Sequence, residues 1–346
     1  MKAGTSASGQ STTAGFLEMA TWRTFTSVLL CAFCLFSSYA NAFTKSAGCG
    51  KPLPAGLKQG GTGSSNRLTI TSSGVKRSYL LHLPRVYTPT NAHGFIFSFH
   101  GRGKDAKEQE QLSQFSNYNV NPNMLVVYPD GIKNQWQGDP DAKSNDVQLV
   151  LDLIEKVQNR YCIDKDRFYA VGKSNGGGFA ANVLACHPIA QNKIAAFAGF
   201  AGAYYQDSDQ NCKPASTHIS CAAPRRPVPV LEMHGTADSV IPYKGGPRRS
   251  RCLPSISHFM TAWAERNGLG KTNVTTKLYN GKVTKYEYGK SRKLQGVNTH
   301  YKINGLGHQW PSKKANDDGG STYLDATPII MDFFRKWEGI GNNRRT

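Results

Sequence analysis

The sequence predicts an α/β protein, a single domain built on a mostly parallel sheet with helices on both faces. Three observations predict it. The runs at 95–99 (Phe-Ile-Phe-Ser-Phe) and 124–128 (Met-Leu-Val-Val-Tyr) are short and continuously apolar, as strands buried on both faces are. Strand-like and helix-like segments alternate from residue 66 onward, the pattern of helices layered on a sheet. No linker followed by a second folded module interrupts them, so residues 66–346 are read as one domain.

In chain order, 67–71 and 76–83 flank Ser73-Gly74 and read as an edge hairpin. The two apolar runs follow as buried strands. Residues 147–157 carry apolar side chains at helical spacing, with Asp146 as the expected N-cap. A strand at 167–171, a helix at 176–186 and strands at 194–200 and 228–233 come next. Residues 255–266 look helical and stop at Asn267-Gly268. Strands at 274–279 and 283–288 join through Asn280-Gly281, a strong hairpin turn signal. The last strand is expected at 299–303 and a closing helix at 328–337, with Pro328 in its first turn.

Composition narrows the classes. The chain has 346 residues, 39% hydrophobic and 10% aromatic, enough apolar material to fill a core and to exclude a wholly disordered chain. No apolar run approaches the ~20 residues a bilayer span needs, so no membrane association is expected. Residues 1–42 read as an N-terminal extension and a secretory signal. Met19-Ala-Thr-Trp-Arg23 leads into an apolar run at 28–36, and Ala40-Asn41-Ala42 supplies a cleavage site before Phe43. Residues 1–18 are Ser/Thr/Gly-rich and unlike a signal start, so translation is expected to begin at Met19. Residues 43–65 form a Gly/Ser/Pro-rich mature N-terminal segment. Cleavage leaves Cys49, Cys162, Cys186, Cys212, Cys221 and Cys252, which suggests disulfides in an extracellular protein but leaves their pairing open. Asn273-Val-Thr is a glycosylation sequon.

The formal net charge of +19 favours adsorption to anionic matter. The basic residues are scattered, the densest cluster being Arg248-Arg249-Ser-Arg251, so a solvated basic face is expected rather than a nucleic-acid interface. Neither metal nor cofactor is expected. The mature part has no CxxC pair, and Asp130, Asp139 and Asp141 lack EF-hand spacing.

Three separated segments carry chemistry. Gly172-Lys-Ser174-Asn-Gly176 follows a strand and opens a helix, the setting of a nucleophile elbow that makes Ser174 project. His234-Gly-Thr-Ala-Asp238 follows another strand, placing Asp238 on a loop at the strands' C-terminal crevice, with His234 in a structural role. Gly305-Leu-Gly-His308 presents a histidine on a glycine-rich loop after the last strand. The order Ser174, Asp238, His308 is that of the α/β-hydrolases. In such a triad the neutral histidine takes the serine proton and the aspartate orients it, so rate should fall below about pH 6.5. Two backbone N–H donors are required for the oxyanion, assigned to Asn175 and, on the Phe99-His-Gly-Arg102 loop, to Arg102. Trp136, Tyr243 and Trp310 are candidates to clamp a substrate ring, with plain packing as the alternative for each.

With Gly48-Cys-Gly-Lys-Pro-Leu-Pro54, Phe99-His-Gly-Arg102, Gln135-Trp-Gln-Gly-Asp-Pro140, Gly172-Lys-Ser-Asn-Gly-Gly-Gly178, Gly305-Leu-Gly-His-Gln-Trp-Pro311 and Asp325-Ala-Thr-Pro-Ile-Ile-Met-Asp-Phe-Phe334, residues 48–338 resemble the secreted fungal feruloyl esterases of types C and D. These belong to a broader family with the polyhydroxybutyrate depolymerases. The resemblance implies cofactor-free hydrolysis of the ester joining ferulate or p-coumarate to arabinose on xylan, with Ser174, Asp238 and His308 as triad. Residues 211–226 depart from the family's pattern. An acetylxylan esterase or polyester hydrolase with the same apparatus is the alternative, and a non-catalytic polysaccharide binder a further one.

Overall fold

The computed structural model describes residues 44–338 except 209 and 223. The signal-peptide and Met19 expectations therefore lie outside the described residues. Strand β1 (Asn66–Ser72) alternates exposed and half-buried side chains and pairs antiparallel with β2 (Val75–His82). Their turn, Ser73-Gly74, has both residues at positive φ, 50° and 76°, the geometry that matches strand twist in a two-residue hairpin.

Strands β3 (His93–Phe99) and β4 (Leu125–Pro129) are buried at every residue, which is why their sequences do not alternate. Between them lies α1 (Ala106–Ser113), a helix the sequence reading omits. Its composition, Ala-Lys-Glu-Gln-Glu-Gln-Leu-Ser, has almost no apolar stripe. A capping box holds it instead, with Asp105 accepting from the Glu108 N–H and the Glu108 side chain accepting from the Asp105 N–H.

Helix α2 (Asp146–Arg160) is capped by Asn145, not by the expected Asp146. The Asp146 side chain faces inward instead and pairs with buried Arg77 at 2.9 Å, and its other oxygen accepts from Gln137 N–H and Ser144. Strand β5 (Ile163–Lys173) feeds the short helix α3 (Asn175–Gly178), which continues as a π-turn through Phe179–Leu184. Then follow α4 (Ala190–Lys193), β6 (Ala196–Phe200), β7 (Gln206–Ser208), β8 (Val230–Gly235), β9 (Gly246–Arg248), β10 (Arg251–Leu253) and α5 (Ile256–Arg266). The remaining elements are β11 (Asn273–Leu278), β12 (Val283–Tyr288), β13 (Asn298–Ile303) and α6 (Ala326–Lys336).

The large sheet has ten strands in the order β1-β2-β4-β3-β5-β6-β8-β13-β12-β11. Its centre, from β4 to β13, is parallel, and antiparallel hairpins close both edges. A second sheet, β7-β10-β9, stands apart. Three disulfides join Cys49 to Cys162, Cys186 to Cys221 and Cys212 to Cys252. The first ties the N-terminal segment to the start of β5. The other two hold the segment that departs from the family's pattern.

Candidate active site

The turn from β5 into α3 places Ser174 at φ 55° and ψ −119°, a conformation that a non-glycine residue adopts only when its surroundings enforce it. Two glycines make that turn possible. A Cβ on Gly172 would stand 2.3 Å from the Gly176 backbone, and one on Gly176 would stand 2.4 Å from the Phe99 carbonyl oxygen. The elbow is held by backbone bonds from Ser174 N–H to Phe200 and from Gly178 and Ala203 N–H to the Ser174 carbonyl.

Past β8, a turn brings Asp238 back under the sheet's C-terminal end. Its Oδ1 accepts from the backbone N–H groups of Val240 and Ile241, and its Oδ2 lies 2.7 Å from His308 Nδ1. The same oxygen lies 3.3 Å from Nε2 of His234. Burial would raise the Asp238 carboxyl, but the hydrogen bonds from His234 and His308 outweigh it and hold the group well below the usual carboxylate range. Asp238 therefore stays charged, as an orienting carboxylate must.

His234 is more than a strand-end filler. Fully enclosed, it faces only acceptors: Glu232 Oε1 at 2.8 Å from Nδ1, and the Ile241 carbonyl at 2.8 Å from Nε2 beside Asp238. Burial alone would lower its pKa, yet the bonds to Asp238 and Glu232 prevail and push it up to about 9. Glu232 in turn accepts from Tyr204 and from the Gly202 N–H. Burial pushes its carboxyl up, but three donors around two oxygens suit the ionised form. Sequence offered no signal for this chain of charges, because Glu232 reads as one residue of a strand.

Beside the elbow runs the loop after β3. A Cβ on Gly101 would stand 3.6 Å from the Ser174 Cβ, so the loop abuts the nucleophile candidate. Among the described residues, neither the Arg102 nor the Asn175 N–H has an intrachain acceptor. The loop is braced from below. Trp136 donates its indole N–H to the His100 carbonyl at 2.9 Å and exchanges backbone hydrogen bonds with the Asn175 side chain at 2.7 and 3.2 Å. His100 Nε2 accepts from the Gly131 N–H, and burial keeps its pKa low. Lys173, next to Ser174, pairs at 2.6 Å with Asp318, which also accepts from the Trp310 N–H. That link ties the elbow to the His308 loop.

Ser174, Asn175, Arg102 and His308 all line one cavity of about 370 Å³, with Ala203, Tyr205, Val240 and Ile241 forming an apolar wall. A charged aspartate bonded to an imidazole, a strained serine and two free N–H groups around one cavity are the parts of an acyl-transfer site.

No family model matches the chain. Feruloyl esterase B of Piromyces equi is 29% identical over 244 residues, 67% of this chain and 42% of that protein. Feruloyl esterase D of Neurospora crassa is 28% identical over 211 residues, 58% of this chain and 64% of that one. The chain is a sequence relative of the feruloyl esterases. A bifunctional acetylxylan esterase/xylanase of Neocallimastix patriciarum is 26% identical over 73% of this chain and 33% of that one. The chain thus spans less than two thirds of the length of each of these relatives. Among solved structures, an acetyl xylan esterase from Aspergillus awamori superposes with a TM-score of 0.57 at 13% identity, over 78% of this chain and 99% of that one. The fold is the α/β-hydrolase fold.

In this relative of the feruloyl esterases the proposed aromatic clamp is corrected. Trp136 is 0% exposed and packs against Phe99 and Phe179, so its ring is a brace and not a wall of the cavity. Trp310 is 1% exposed, packs on Phe200 and donates to Thr327. Tyr243 stacks on His300 and bonds to it, away from the cavity. Each of these aromatics is drawn inward because its ring buries a large apolar area. The cavity's aromatic side chain is Tyr205, which the sequence reading missed. Asp130, Asp139 and Asp141 are answered by arginines: Arg67 for the first and Arg249 for the other two. Asn273 begins β11 at the sheet edge.

Proposed function

We propose that the chain is a secreted serine esterase that hydrolyses feruloyl and p-coumaroyl esters of plant cell-wall arabinoxylan. The observation that carries this is the 2.7 Å Asp238–His308 hydrogen bond at a cavity that also holds Ser174 on a strained elbow. The likeness to feruloyl esterases B and D supports this substrate class, and three disulfides suit an oxidising extracellular compartment.

In the mechanism, Ser174 Oγ attacks the ester carbonyl while neutral His308 takes its proton. Asp238 holds the imidazole in place and stabilises its charged form. The oxyanion is received by the Arg102 and Asn175 N–H groups. Collapse breaks the bond to the sugar oxygen, which takes the proton from His308 to leave as a hydroxyl, and an acyl-serine remains. Water, deprotonated by His308, then releases the hydroxycinnamate and restores Ser174. Tyr205, Val240 and Ile241 offer an aryl acyl group an apolar and aromatic surface.

Acetylxylan is the second reading, favoured by the relative from Neocallimastix. Purified protein assayed on methyl ferulate, acetylated xylan and poly(3-hydroxybutyrate) separates the readings. Fastest turnover is expected on methyl ferulate. Turnover of acetylated xylan with none of methyl ferulate would transfer the assignment to the second reading.

A further inference from the structure

Five cationic side chains line the cavity beside Ser174: Arg102, Lys104, Lys173, Arg248 and Arg249. Lys104 is answered by Glu108 at 2.8 Å and Lys173 by Asp318 at 2.6 Å. Of the three guanidiniums that remain, two share two carboxylates. Arg102 reaches Asp141 at 2.9 Å, and Arg249 reaches both Asp139 and Asp141. Among the described residues Arg248 has no carboxylate at ion-pair distance; its Nε donates to the Tyr205 hydroxyl at 3.3 Å. Arg248 is thus the one guanidinium of the lining without a paired carboxylate, although Asp139 feels its charge.

Arg248 is also presented rigidly. It ends β9, the residues at the hairpin tip, Arg249 and Ser250, take φ 53° and 58°, and β10 is tied through Cys252 to Cys212. A feruloyl ester of a neutral sugar offers this guanidinium only neutral oxygen acceptors and no counter-charge. A guanidinium presents a planar fork of N–H donors matched to a carboxylate. We propose that Arg248 marks a carboxylate subsite beside Ser174, and that the enzyme takes esters carried on uronate-bearing saccharide chains. The proposal rests on the esterase reading and narrows its substrate.

The test follows hydrolysis of p-nitrophenyl acetate with trigalacturonate, xylotriose or glutarate as competitor. Trigalacturonate should inhibit at least about tenfold more strongly than xylotriose, an advantage that shrinks in high salt. Arg248→Gln should erase most of that difference and Arg248→Lys part of it. Lys290→Gln, which removes the same charge from an exposed site, should keep it. Equal inhibition by the two trisaccharides, or equal losses in Arg248→Gln and Lys290→Gln, would overturn the subsite. Glutarate matching trigalacturonate would place the carboxylate on the acyl side and overturn the saccharide assignment. If the protein does not cleave the reporter, the esterase reading fails, and calorimetric binding of trigalacturonate to the wild type and to Arg248→Gln still decides the subsite.

Discussion

Asp238 serves two imidazoles at once, and its removal should show in catalysis more than in binding. Asp238→Asn would leave His308 without its orienting charge, so kcat on methyl ferulate is expected to fall by about 10⁴-fold with little change in KM. Ser174→Ala should abolish turnover while leaving the thermal midpoint close to that of the wild type; retained turnover would remove Ser174 from the nucleophile's role. The buried imidazolium of His234 adds a pH signature to stability. Its pKa is raised from the ordinary value of 6.5 to about 9 by Asp238 and Glu232, against the pull of burial. A raised pKa stabilises the fold fully below pH 6.5, and that contribution is lost as pH rises through about 9. The thermal midpoint should therefore decline across this interval, and His234→Gln should flatten the decline. Parallel curves for the two proteins would mean that His234 is neutral in the fold.

At the scale of elements, the elbow is where helix, strand and loop meet with no spare space. Gly176→Ala would drive a Cβ to within 2.4 Å of the Phe99 carbonyl, a backbone atom that cannot swing aside. We expect a stability loss of about 3 kcal/mol, read from the denaturant midpoint, together with loss of activity. Gly320→Ala, where a Cβ meets nothing within 4 Å, should be neutral. The elbow was legible because the reason for its glycines is local. Helix α1 was not, since Asp105 and Glu108 stabilise it without an apolar stripe. The N-terminus of α2 was misplaced by one residue because buried Arg77 draws Asp146 inward while Asn145 takes the cap.

For the whole molecule, charge and cross-links set the behaviour. The strong positive charge, +19 over the full sequence, should hold the protein on acidic cell-wall polymers such as glucuronoxylan or pectin at low salt and release it at high salt. Binding to insoluble wall that is indifferent to salt would exclude surface attraction as the cause. The Cys49–Cys162 bridge spans a sequence separation of 113, so removing it should cost about 4 kcal/mol of unfolding free energy. The Cys186–Cys221 bridge spans only 35 and should matter less to the unfolded chain.

By itself the sequence determined the layered α/β plan, the parallel core strands and the positions of the elbow and of the two loops that carry Asp238 and His308. These follow from patterns confined to a few consecutive residues: continuous apolar runs, turn dipeptides, and glycines around a serine. Only the tertiary structure decided which cysteines pair, that Trp136 and Trp310 turn into the core, that Glu232 and His234 stand behind Asp238, and that Arg248 is left without a paired carboxylate. Each of these depends on groups brought together from distant parts of the chain, where burial and charge pairing have no trace in local spacing.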